Sequence, residues 1–188
     1  MRVCRFGLGL AAAFFLSMPA WGQISVYGQA TGANLQYPNT SHLYGGTFGL
    51  LATKPVGPLS MGADFRGAML HRGSSVGAYN DQSLDMGQLG VRVAAAPHVL
   101  PLSLMPYAEA LAGLGYWRGG ISTSRQDKNH SMFQVVVGTD VPVYKRLQWR
   151  VFEATYGRAG AQPGSINPIT VSTGFVINLP PGFFHQAQ

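Results

Sequence analysis

Charged residues are scarce. They make up 11% of the 188 residues, against about 25% in soluble domains, so a surface that faces water on every side is hard to assemble from this chain. Acidic residues are fewest, with seven Asp and Glu against thirteen Lys and Arg, for a formal net charge of +6. The basic residues are dispersed, which excludes the concentrated patch that nucleic-acid binding needs, and no nucleic-acid partner is expected. Cys4 is the only cysteine, so neither an intramolecular disulfide nor a multi-thiolate metal site can form. Long apolar runs are missing as well: Leu8 to Leu16 falls well short of the roughly 18 residues of a membrane-crossing helix. Mean hydropathy is nevertheless +0.10. A chain that is apolar on average but nowhere continuously apolar distributes its hydrophobicity by alternation, as membrane β-strands do.

The N-terminus follows the three-part pattern of a secretory signal. Arg2 and Arg5 precede the apolar run without an acid, and Ser17-Met18-Pro19-Ala20-Trp21-Gly22 ends on small residues at Ala20 and Gly22. Residues 1–22 are read as a signal peptide cleaved before Gln23. The exported chain would lose Cys4, and its formal charge would fall from +6 to +4 with the departure of Arg2 and Arg5. No lipoprotein cleavage box surrounds Cys4, so no lipid anchor is expected.

The rest of the chain reads as eight alternating segments. They begin with Gln23 to Gln36, Gly45 to Thr53, Ser60 to His71 and Leu84 to Ala96. Leu104 to Arg118, Ser131 to Val143, Leu147 to Ala159 and Thr170 to Leu179 follow. Each has one apolar face and one small, polar face, the two-residue period of a strand. Asp64, Arg66, Arg92, Glu109, Asp140 and Glu153 fall on the polar faces of five segments. If the sheet closes with its apolar face outward, they converge in the lumen, where buried charges must pair. Arg150 has the outward parity and is expected to snorkel to the interface beside the 143–147 turn.

The connections at 37–44, 73–83, 119–130 and 160–167 are mostly longer and more polar than those at 54–59, 97–103 and 143–147. Long loops at one rim and short turns at the other suit a barrel with both ends periplasmic. Tyr37, Tyr44, Tyr116, Trp117 and Tyr156 at the loop rim, and Tyr107, Tyr144 and Trp149 at the turn rim, are placed as interfacial girdles would be. Arg118, Arg125, Lys128 and Arg158 give the loop rim a basic bias suited to lipopolysaccharide phosphates.

The signal peptide, the eight strands, the Tyr107-Ala108-Glu109-Ala110-Leu111-Ala112-Gly113 segment and the closing strand together resemble the small bacterial outer-membrane β-barrel family. The architecture is similar to OmpX and the OmpA membrane domain. In the closing strand, Ser172, Gly174, Ile177 and Leu179 match the family's assembly signal. The resemblance implies an all-β, eight-stranded antiparallel up-and-down transmembrane barrel over residues 23–179, with a short tail at 180–188. It also implies insertion by the barrel-assembly machinery into the bacterial outer membrane, contact with its lipids and lipopolysaccharide, a monomeric state, and a structural, surface-contact or envelope-integrity role. Nine residues follow Leu179, whereas the family pattern ends on an aromatic residue, and no peptidoglycan-binding domain is expected.

Eight strands enclose an interior that side chains just fill, so a polar and ionic plug is expected in preference to a pore. No enzymatic role, cofactor or metal is expected. The lipid A deacylase of this size class pairs a histidine and a serine two apart, whereas His130 and Ser131 are adjacent and would face opposite ways on a strand. His42, His71, His98 and His185 are scattered without metal-ligand spacing. The main alternative is a soluble periplasmic lipocalin-like barrel with its apolar face inward around a small ligand. A narrow pore and a lipid A-modifying enzyme are lesser alternatives.

Overall fold

The computed structural model describes residues 22–35, 41–72, 82–96, 103–121, 124–160 and 167–180. The expected signal peptide except Gly22 and all of the tail except Pro180 lie outside these residues, as do Tyr37, His98 and His185. Eight strands form a closed antiparallel barrel in chain order: β1 (Gln23–Leu35), β2 (Ser41–Val56), β3 (Leu59–Arg72), β4 (Gln82–Ala95), β5 (Met105–Ile121), β6 (Ser124–Tyr144), β7 (Leu147–Ala159) and β8 (Pro168–Asn178). β8 closes on β1 through pairs from Ser25↔Asn178 to Leu35↔Pro168, so no edge strand is left unpaired. Gly57 takes φ +60° in the two-residue turn between β2 and β3, the backbone region that primed hairpin turns require.

Alternation sorts the residues by face. Phe48, Phe65, Val91, Phe133, Phe152 and Phe175 are among the large apolar side chains exposed on the outside, whereas Asp64, Arg66, Arg92, Glu109 and Asp140 are at most 4% exposed. This polarity is the reverse of an inward-facing ligand barrel. The partner residues form a staggered path: Ile24↔Ala52↔Ala63↔Val91↔Ala110↔Val135↔Tyr156↔Ile169 returns to β1 at Asn34, ten residues above its start. That stagger tilts the strands against the barrel axis, and with eight strands the enclosed interior is one that side chains just fill.

Several expectations are corrected. β2 is longer than Gly45 to Thr53, and β5 and β6 run through most of the expected 119–130 loop, pairing as far as Ile121↔Ser124. Arg125 and Lys128 are therefore strand residues, paired with Gly120 and Trp117; their side chains lie outside the description. Tyr107 is a lumen residue at 5% exposure and not part of a girdle, since it shares Glu109's parity. Trp117 also faces inward and packs on a buried apolar cluster. Tyr44 and Tyr144, at 70% and 68% exposure, do stand at the rims. Arg150, expected outside, is completely buried in the lumen.

Candidate functional site in the barrel lumen

Seven charged side chains from β3 to β7 meet inside the barrel: Asp64, Arg66, Arg92, Glu109, Asp140, Arg150 and Glu153. All six expected lumen residues are present, joined by Arg150 and by the hydroxyls of Tyr27 and Tyr107. Arg66 is the hub. It donates to Glu153 from Nη1 at 2.8 Å and from Nη2 at 3.1 Å, to Glu109 from Nη2 at 2.8 Å and to Asp64 from Nη2 at 3.1 Å. Its Nε donates to the Tyr27 hydroxyl at 2.9 Å, and that hydroxyl donates in turn to Asp64.

Arg92 and Arg150 complete the layer. Arg92 bridges Glu109 at 3.3 Å and Asp140 at 2.5 Å, with its guanidinium 3.6 Å from the Tyr107 ring centroid. Arg150 holds Asp140 at 2.9 Å and Glu153 at 3.1 Å, and lies 4.7 Å and 4.9 Å from the Tyr27 and Tyr107 centroids. Tyr107 donates to Glu153 at 2.7 Å. Every carboxylate accepts from at least two partners. That saturation offsets the cost of burying charge. The arrangement ties β3 to β7 to one another across the lumen.

A bulge in β7 explains Arg150. The register passes from Thr139↔Phe152 to Asp140↔Arg150 against β6, and from Glu153↔Ser172 to Arg150↔Gly174 against β8. One extra residue in β7 lets Arg150 and Glu153, three apart, both face inward while Trp149 and Phe152 both face outward. At the bulge the Thr173 hydroxyl donates to the Arg150 carbonyl at 3.0 Å while accepting from Trp149 Nε1 at 3.3 Å. Thr173→Val is expected to lower the unfolding free energy by about 1–3 kcal/mol, the cost of an orphaned polar group, with Thr173→Ser retaining most of it. Urea unfolding in lipid vesicles, followed by tryptophan fluorescence, measures this directly.

Inward glycines make room for the large polar residues. A Cβ on Gly49 would stand 2.5 Å from the Tyr27 hydroxyl, and one on Gly138 would stand 2.5 Å from that of Tyr107. Gly49→Val or Gly138→Val should therefore displace a tyrosine from the layer and lower stability by about 1–3 kcal/mol, as overpacking does; the same unfolding assay reads it.

The other expected positions are dispersed. Ser172 is buried and shares a hydrogen bond with Thr31 at 2.9 Å, Gly174 faces inward against the β1 backbone, and Ile177 is exposed outside. Leu179 lies just past β8, its N–H bonded to the Ile24 carbonyl at 2.8 Å. At the loop rim Arg158 is exposed and Arg118 lies 5.2 Å from the Tyr116 ring.

A closed, eight-stranded barrel with an apolar exterior and an ionic lumen has the architecture of small outer-membrane barrels, and solved structures share it. The chain superposes on Neisserial surface protein A with a TM-score of 0.61 at 13% identity, covering 83% of this chain and 97% of that one. It matches Ail, the attachment invasion locus protein of Yersinia pestis, crystallised with the heparin analogue sucrose octasulfate, with a TM-score of 0.58 at 10% identity over 84% and 99% of the two chains. The N-terminal β-barrel domain of Pseudomonas aeruginosa OprF gives 0.51 at 15% identity over 83% and 99%. No protein-family model matches the sequence, and no curated protein matches it. The shared property is the fold.

Proposed function

We infer that this protein is a non-enzymatic β-barrel of the bacterial outer membrane, closed in its lumen by the ion-pair layer and acting through its outer rim on surface contact or envelope integrity. The observation that carries this reading is the polarity of the closed barrel. Apolar side chains cover the outside, while three arginines pair with four carboxylates inside. Assembly would use the barrel-assembly machinery, and the folded monomer would sit among outer-membrane lipids. The reading predicts recovery in the outer-membrane fraction and faster gel migration before boiling than after. It also predicts no steady ion conductance of the unaltered protein in planar bilayers. A soluble periplasmic product with no heat-dependent band would overturn the membrane placement, and steady conductance would overturn the closed lumen.

The rim partner proposed is anionic saccharide, with lipopolysaccharide phosphate first. Arg72 and Arg158 are exposed near the loop ends of β3 and β7, and the heparin analogue bound to Ail makes sulfated saccharide a practical probe. Arg72→Ser with Arg158→Ser is expected to lower the salt concentration that elutes the protein from a heparin column, because each phosphate- or sulfate-facing cation adds a salt-sensitive contact. An unchanged elution point would remove these two residues from the contact.

A further inference from the structure

On β1, β4 and β6 the inward residues, read from the loop side towards the turns, pass from apolar to neutral polar to the ion-pair layer, whereas β3 and β5 place Ala68 and Leu111 at the middle level. β1 presents Leu35 and Ala33, then Thr31 and Gln29, then Tyr27. β4 presents Leu84 and Met86, then Gln88, then Arg92; β6 presents Met132, then Gln134, then Asp140. Allowing for the ten-residue stagger seen from Ile24 to Asn34, one inward residue from each of the eight strands stands at a common level below the extended β5–β6 hairpin. Leu35, Leu43, Leu70, Leu84, Met132 and Ala159 form a buried apolar cluster there, with Trp117 packed on it. Buried Pro168 on β8 completes the circuit.

Between this ring and the ion pairs lies a band of buried polar side chains. Gln29 and Gln88 are 6% and 2% exposed, and neither their amide nitrogens nor their oxygens have a partner within the protein. Among the described residues, Gln134 donates to the Met86 sulfur, at 3.8 Å. Buried amides left unbonded cost about 1–3 kcal/mol each, and interiors meet this demand with ordered water where the site is polar.

We propose that the lumen is sealed twice, by the apolar ring towards the loops and by the ion-pair layer towards the turns, with a water-holding chamber at Gln29, Gln88 and Gln134 between them. The proposal rests on the closed-lumen reading above. Apolar constrictions block ions by excluding water, whereas the ion-pair layer blocks by filling space. Each seal is sufficient alone, so ions pass only when both are opened.

The test is a conductance cycle in planar bilayers, with heat-modifiable migration confirming that each variant is folded. The ring is opened by Leu43→Ser, Leu70→Ser and Leu84→Ser; the ionic layer is opened by Arg66→Ala with Glu109→Ala, which preserves net charge. Each set alone is expected to leave the bilayer silent, and the combination to conduct. Conductance from the ionic pair alone equal to that of the combination would eliminate the ring as a seal. The converse would eliminate the ionic layer, and silence of the combination would overturn both assignments. The unaltered barrel separates the two readings, since its conductance tests the closed lumen and not the double seal.

A second measurement uses an introduced cysteine: with Cys4 replaced by serine so that no other thiol is present before or after export, Gln88→Cys places the only thiol in the chamber. A small methanethiosulfonate is expected to label it at least tenfold faster when the ring is opened. Equal rates would overturn the ring's role.

Discussion

Replacing Arg66 by methionine is expected to lower the unfolding free energy of the barrel by about 3–5 kcal/mol, the cost of leaving buried charges uncompensated. Arg66 supplies five hydrogen bonds to Tyr27, Asp64, Glu109 and Glu153. Without it, four carboxylates share only Arg92 and Arg150. Arg66→Lys should lose part of that amount, because an ammonium keeps the charge but cannot reproduce the planar fork that reaches three carboxylates. Adding Glu153→Gln to Arg66→Met should recover part of the loss, as one uncompensated charge is removed. Urea unfolding in lipid vesicles reads all three variants. An unchanged midpoint for Arg66→Met would mean that water screens the layer and that the ion pairs do not brace the strands.

Val137→Arg tests the outside of the barrel with the opposite logic. Val137 lies mid-strand in β6, paired with Ala108 and Ala154, and is 49% exposed on the outer face. In a membrane, an arginine near the bilayer midplane costs about 2–4 kcal/mol and one near the interface about 0–1 kcal/mol. Tyr144→Arg, at the turn rim and 68% exposed, should therefore be nearly neutral. A barrel in water would tolerate both to within about 0.5 kcal/mol. The difference between the two variants, measured in the same vesicles, is thus a direct reading of the surrounding solvent.

The face of most residues was legible because a strand's side-chain period is two and needs no knowledge of its neighbours. Asp64, Arg66, Arg92, Glu109, Asp140 and Glu153 were assigned inward on that ground alone, and all are buried inside. The same rule already placed Tyr107 on the parity of Glu109, but its position near a strand end suggested a girdle instead. Parity was the better guide, since Gly138 on β6 leaves space for the ring. Arg150 was misplaced because parity counting assumes an unbroken strand. A faint signal was present: Trp149 and Phe152 both suit the outer face yet stand three apart, which one inserted residue reconciles.

Charge scarcity, alternation and the uneven connection lengths are local properties, and from them the strand number, the closed architecture and the inward acids and arginines could be read. Which charges meet could not. Arg66 reaches Glu153 across 87 residues and Arg92 reaches Asp140 across 48, contacts that depend on the stagger accumulated over eight strand pairings. The bulge at β7, the tyrosines in the ion-pair layer and the level of the apolar ring depend on that same register. Hydrogen bonding between strands sets it cooperatively, and no segment carries it alone.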